Sequence, residues 1–109
     1  MAPGLQGLLL NAAAATGDGP VLDDGAAHGF GSFQMEITGA PTRVAVTISG
    51  IINTSQTWGV LAVLDTAQGY IAGQIVSLTF PVSVRKIKAH LDTLTGGTSP
   101  TVTLHYAAR

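Results

Sequence analysis

Apolar and polar residues alternate along most of the chain, with a hydrophobic side chain at every second position. In Phe33–Thr38, Phe, Met and Ile alternate with Gln, Glu and Thr, and Arg43–Ser49 repeats the pattern with Val, Val and Ile. Successive side chains of a strand point to opposite faces, so both segments are predicted to be half-buried strands. Gly39–Pro41 lies between them and is predicted to join them by a tight turn.

The last third of the chain alternates in two runs, separated by the loop Thr95–Pro100 (TGGTSP). Glycines suit the positive φ angles of tight loops, so Arg85–Tyr106 is predicted to form a closing hairpin. The residues predicted to point inward are Ile87, Ala89, Leu91, Val102, Leu104 and Tyr106. Those predicted to point outward are Lys86, Lys88, His90, Asp92, Thr101, Thr103 and His105.

The middle of the chain contains a nearly continuous apolar run, Trp58–Asp65 (WGVLAVLD). Such runs are typical of central strands that are covered on both faces, and Trp58 is predicted to anchor the core there. The next strand is predicted within Gly73–Val82, where Pro81 marks a strand end or an edge because proline cannot donate to the ladder. Tyr70 follows a glycine in the intervening loop and is predicted to be exposed.

The first thirty residues are rich in glycine and alanine and have weaker patterns. Gly7–Ala15 is predicted to form an edge strand and Pro20–Asp24 a short second one, within an N-terminal arm and loop of residues 1–30. Residues 31–109 are predicted to form the core of a single domain. About seven or eight strands with regular turn signals, and no convincing helix, indicate an all-β antiparallel sandwich or jelly roll. The predicted core residues are Phe33, Met35, Ile37, Val44, Val46, Ile48, Trp58, Ile87, Leu91, Val102, Leu104 and Tyr106.

Composition narrows the function classes. Charged residues make up 10% of the 109 residues, against about 25% in soluble domains, and the net charge is -1. The chain therefore lacks the basic field that nucleic-acid binding requires. No apolar run approaches the ~20 residues of a membrane-spanning helix. Cysteine is absent, which excludes disulfides and thiolate metal sites.

Candidate chemistry is sparse. Asp18, Asp23 and Asp24 lie in one Gly-rich loop and are candidates for Ca²⁺ binding, although Asp and Gly are also ordinary turn residues. His90 and His105 are predicted to face each other across the closing hairpin, where they would form a surface metal site or simply meet solvent. No Gly-x-Ser-x-Gly motif is present. The chain is predicted to be neither an enzyme nor a cofactor-binding protein.

Five segments occur in an order that resembles one known group of proteins. They are AAAATGDG (Ala12–Gly19), FQMEITG (Phe33–Gly39), VAVTISG (Val44–Gly50), TWGVL (Thr57–Leu61) and RKIKAHLDTLTGGTSPTVTL (Arg85–Leu104). This order is similar to that of small β-sandwich structural proteins from the virions of tailed bacteriophages. The chain departs from the pattern at Ile51–Thr57, which puts any binding role of that loop in doubt.

The resemblance implies a capsid decoration (cement) protein that bridges subunits of the major capsid protein on the particle surface, made in the host cytoplasm. It implies no catalytic residues. A homo-oligomer is expected, with a trimer favoured, and the segment Met1–Leu22 is expected to add a strand to a neighbour's open edge. The candidate interface residues are Leu8, Leu9, Leu10, Tyr70, Lys86, Lys88 and His90. The alternatives are a carbohydrate- or receptor-binding module of a tail or head fibre, with Tyr70 or Trp58 stacking on sugars, and a neck or tail adaptor.

Overall fold

The strands of the computed structural model are all antiparallel. The structure describes residues 5–51 and 57–108, without the side chains of residues 5–6, 23–29 and 80–85. The strands are β1 Leu5–Ala13, β2 Gly17–Asp18, β3 Leu22–Thr38, β4 Arg43–Ile51, β5 Gly59–Asp65, β6 Ile75–Thr95 and β7 Thr101–Ala108, and a single 3₁₀ turn spans Thr66–Gln68. The described chain contains no helix of the length and apolarity that a membrane crossing requires.

Two long strands, β3 and β6, connect all the others. Their order in the sheet is β1-β7-β3-β6-β4-β5, with β2 paired to β6. The second half of β3 and the first half of β6 pair with each other and continue through β7 to β1, which makes the first layer. The second half of β6 pairs with β4, which pairs with β5, and this makes the second layer.

The two layers face each other, and their inner faces form one hydrophobic cluster. The molecule measures 42 × 26 × 22 Å, and its shortest dimension fits two sheets packed about 10 Å apart. The largest fully buried side chains are Phe33, Leu9, Met35, Ile48, Ile87, Leu91, Leu104, Val44, Val46 and Val102. The predicted fold class, an all-β antiparallel sandwich in one domain, is confirmed.

Most of the predicted core is confirmed, with two adjustments. Ile37 is half-buried and packs against the cluster from β3. Trp58 precedes β5 and is also only half-buried. It is absent from the core cluster, so the prediction that it anchors the core is wrong.

Both predicted hairpins are also wrong in their pairing. β3 pairs with β6 and β7, and β4 pairs with β5 and β6, so the loop Gly39–Thr42 carries the chain from the first layer to the second. The loop Gly96–Pro100 carries it back, since β6 ends against β4 and β7 pairs with β1 and β3. Alternation identifies the buried face of a strand but does not identify its neighbour.

These two crossing loops lie against each other at one end of the sandwich. The backbone N–H of Thr98 donates to the carbonyl of Gly39 at 2.8 Å, and that of Thr42 donates to the carbonyl of Thr95 at 2.7 Å. Gly97 has a φ of 76°, and a Cβ there would lie 2.3 Å from the Gly39 carbonyl oxygen. Only glycine fits at such a position.

The run Trp58–Asp65 is not the central strand that its composition predicts. Among the described strands, β5 ends the order and pairs with β4 alone. Its Val60 and Val63 side chains are 66% and 56% exposed. A continuous apolar run is expected when both faces are buried, but here it belongs to an edge strand with an apolar outer face.

The crossing loops generate a testable prediction about stability. Gly97→Ala is expected to destabilise the fold by about 3 kcal/mol or more, because the added methyl group meets backbone and the positive φ strains alanine. The free energy of unfolding from urea titrations measures this. Gly69→Ala is the matched control, since Gly69 has a φ of 102° and nothing within 4 Å of an added Cβ. It is expected to cost only about 1 kcal/mol, and equal losses in the two variants would contradict close packing of the loops.

Candidate functional site

The predicted N-terminal interface lies largely inside the molecule. β1 pairs with β7 of its own chain, which confirms the predicted edge strand. Leu9 and Leu10 are buried in the core cluster, and Leu8 is half-buried. Leu9 and Leu10 therefore cannot face a neighbouring subunit, because the sandwich needs them to cover its first layer. Residues 5–13 are likewise already paired and are not a free arm.

Tyr70 is buried rather than exposed, with 9% of its surface accessible. Its hydroxyl accepts a hydrogen bond from the backbone N–H of Met35 at 3.0 Å and donates one to the carbonyl of Gln74 at 2.7 Å. The side chain thus joins β3 to the segment that enters β6. Burial raises the pKa of the Tyr70 hydroxyl above its ordinary value. Tyr70 joins two parts of the fold, and the prediction that it is exposed is wrong.

The outer face of the second layer carries a cluster of charged groups. Asp18 accepts a hydrogen bond from His90 at 2.8 Å and lies 3.5 Å from the Lys88 ammonium. The bond from His90, aided by the positive charge of Lys88, holds the pKa of Asp18 below its usual value. Asp92 lies 3.7 Å from His90, and the Lys88 ammonium sits 4.7 Å from the centre of the Trp58 ring. The predicted outward positions of Lys88 and His90 are confirmed, and Lys86 is half-buried.

The candidate metal ligands do not come together. His105 lies on the outer face of the first layer, hydrogen-bonded to Glu36, while His90 lies on the second layer. The predicted meeting of the two histidines is therefore wrong, because their strands are not neighbours. The side chains of Asp23 and Asp24 lie outside the described residues. Within the described ranges, no group of three His, Asp or Glu side chains is arranged to hold a metal ion.

An ion pair closes the end of β5. The Asp65 carboxylate accepts hydrogen bonds from Arg43 Nε at 3.2 Å and Nη2 at 2.8 Å. It also accepts one from the backbone N–H of Ala67 at 2.9 Å, which caps the 3₁₀ turn. The hydrogen bonds from Arg43, and then that from Ala67, hold the pKa of Asp65 below its usual value. The only charge on β5 is thereby neutralised within the chain.

The sequence pattern did not predict an exposed apolar surface that the structure shows in the middle of the chain. Apart from Asp65, no residue between Val44 and Val84 is charged. Among the described side chains of this part of the chain, four large hydrophobic ones are more than half exposed, namely Val60, Val63, Ile71 and Ile75. The long uncharged stretch was a signal in the sequence, but the prediction of a central strand assigned its apolar side chains to the core.

Two of these exposed residues, Val63 and Ile75, each line a depression in the surface. A cleft of about 250 Å³ lies between β5 and the start of β6, lined by Val63, Tyr70 and Val76 among others. A second, open groove of about 460 Å³ lies on the first layer. One row of paired residues crosses β1, β7, β3 and β6 there. It consists of Leu8, His105, Gln34 and Ile75. The lining of the cleft also includes the Asp65 carboxylate that Arg43 holds, and that of the groove includes His105.

Comparisons with known proteins identify a similar fold but show no family for this chain. The sequence matches no protein-family model and no curated protein. The structure is similar to the crystal structure of the SPBc2 prophage-derived protein YomS, with a TM-score of 0.65 and 9% sequence identity. The match covers 97% of this chain and 92% of that one. The two proteins therefore share an all-β fold over nearly the whole length of both chains.

Tyr70 gives a prediction that depends on pH. Tyr70→Phe is expected to destabilise the fold by about 1–3 kcal/mol at pH 8, because the buried N–H of Met35 loses its acceptor. The folded pKa of Tyr70 is raised, so its contribution is complete below the ordinary value of 10.0 and is lost as the pH rises towards the folded pKa. Urea unfolding at pH 8 and above pH 10 measures both effects. A difference between wild type and variant that does not shrink at high pH would contradict the buried hydroxyl.

Asp65 gives a prediction with the opposite sign. Its folded pKa is lowered, so its contribution is present above the ordinary value of 3.8 and is lost as the pH falls through the folded pKa. Asp65→Asn is expected to be less stable than wild type at pH 6, with the difference shrinking below pH ~3.8. Urea unfolding across this range is the measurement. In the Asp65→Asn background, adding Arg43→Ala should cost little more, and a full additional loss would show that Arg43 acts elsewhere.

Proposed function

We propose that this chain is a structural protein of a bacteriophage particle and that it acts as a capsid decoration protein. The observation that carries the proposal is the similarity of the whole sandwich to a prophage-derived protein, over 97% of this chain. The order of the five sequence segments that resemble phage virion sandwiches adds independent support. The proposed role is non-catalytic.

The proposed mechanism is mechanical. A decoration protein stabilises a shell when it binds the assembled subunits more tightly than the separated ones, which shifts the assembly equilibrium by mass action. The two-layered sandwich provides a rigid body for this purpose. Its uncharged, partly apolar surfaces suit the burial of area across a joint between two subunits of the major capsid protein. The location is the particle surface, and the chain acts as a homo-oligomer.

The residues available for such contacts differ from those first predicted. Lys88 and His90 remain on the outer face of the second layer, and Leu8 borders the groove of the first layer. The exposed side chains of Ile71 and Ile75 join them. Leu9, Leu10 and Tyr70 leave the set because they are buried.

The fibre alternative has less support from its two aromatic candidates. Sugar stacking needs an open ring face, whereas Tyr70 is buried and the Lys88 ammonium lies over one face of the Trp58 ring. A neck or tail adaptor uses the same kind of fold and surface, and it differs from a decoration protein in the number of copies that a particle needs.

The test is the copy number of this chain in purified particles. Quantitative mass spectrometry compares it with the major capsid protein in the same sample. A decoration protein that coats the shell is expected near one copy per capsid subunit. A few copies per hundred capsid subunits would replace decoration by a fibre, neck or tail role, and absence from the particles would overturn the virion role altogether.

A further inference from the structure

β5 presents an edge that pairs with no other strand in the described part of the chain. The free N–H and C=O groups of such an edge are a template for another strand. Natural proteins protect edges with lysine, proline, inward-pointing charges or bulges that twist the edge away. Gly59–Leu64 contains no lysine, proline or charge, the charge of Asp65 is held by Arg43, and a bulge at Leu61 is the one protective feature among the described residues of this edge. The edge is therefore chemically open to strand addition.

A bulge gives this edge an apolar face. The register between β4 and β5 shifts so that Ala62 lies opposite Ile48 and Val60 opposite Ser49, which leaves Leu61 extra. Val63 lies opposite Thr47, and Thr47 and Ser49 are two residues apart on one side of β4. Val60 and Val63 consequently share the outer face of the second layer, where both are more than half exposed.

We propose that a second copy of this chain docks on β5, by antiparallel pairing of the two β5 strands about a two-fold axis. With the axis between Leu61 and Ala62, Val60 of each copy lies opposite Val63 of the other. Two cross-strand valine pairs then form on one face, and β-branched residues pair favourably at such positions. Backbone N–H and C=O groups of the edge outside the bulge gain partners at the same time.

The charge distribution is the reason that the occupant is a second copy. A charged partner gains no attraction from a surface whose one acidic group is already neutralised. A second copy presents the same uncharged, apolar strand, so it meets neither repulsion nor an unpaired charge. A two-fold contact also requires that one patch be complementary to itself, and a strand that pairs antiparallel with its own copy meets this requirement.

This inference rests on the proposed function for the need to self-associate, but its test needs no particles. The full chain is studied by sedimentation equilibrium between about 1 µM and 1 mM, and a monomer–dimer equilibrium is expected. Val63→Lys is expected to weaken the dimer at least ~100-fold, because a lysine on the edge blocks strand addition. Ile75→Lys is the matched control, since Ile75 is 64% exposed on the other layer, and it is expected to leave the dimer unchanged.

The register has its own test. Val60→Lys and Val63→Glu are each expected to weaken the dimer when made singly. The double variant Val60→Lys/Val63→Glu is expected to restore it, because the introduced lysine of each copy then lies opposite the introduced glutamate of the other. Circular dichroism and thermal unfolding of each variant check that the monomer is folded.

The outcomes separate cleanly. A monomer at every concentration, a trimer, a dimer that survives Val63→Lys, or a dimer that Ile75→Lys breaks equally would overturn the proposal, as would a double variant that stays monomeric. A solution dimer with the expected variants would support it even if the chain were absent from particles. Conversely, particles that carry the chain near one copy per capsid subunit support the proposed function whatever its state in solution.

Discussion

The contact between the two crossing loops is the constraint on which the rest of the fold depends. Each loop carries the chain from one layer to the other, and each is too short to make the crossing in more than a few ways. Gly39 accepts a hydrogen bond from Thr98, and Gly97 packs directly against the Gly39 carbonyl. The loops therefore fix each other, and together they fix which strands face one another across the core.

Because the chain crosses between layers at this end, β3 and β6 must hold the layers together elsewhere. Each is long enough to pair in both layers, β3 with 17 residues and β6 with 21. Core packing follows from this arrangement. Phe33 on β3 and Tyr106 on β7 are cross-strand partners with ring centroids 5.3 Å apart. Their stacked rings fill the core on the side of the first layer. Within the described ranges, the strand order also leaves β1, β5 and the start of β6 without a further neighbour on one side.

The sequence predicted faces well and neighbours poorly, for a physical reason. Alternation indicates which side chains avoid water, so the burial of Phe33 or Leu104 and the exposure of His90 follow directly from it. Strand pairing depends on contacts between residues that are distant in the chain. The local pattern of the crossing loops therefore predicted hairpin turns.

The prediction of exposed interface residues was wrong for the same reason. Tyr70 and Leu9 lie in segments whose local pattern suggests a loop and an arm, and only the closed sandwich buries them.

The outer face of the second layer differs in charge from one end of its strand order to the other. On β2 and β6 a network of hydrogen bonds and ion pairs joins Asp18, Lys88, His90 and Asp92. The edge formed by β5 has no such network among the described residues, and its exposed valines gain free energy whenever a surface covers them. A protein that acts alone would be expected to place charges on that edge. A protein that acts in an assembly has a reason to leave it bare, because each charge placed there would have to be desolvated at the joint.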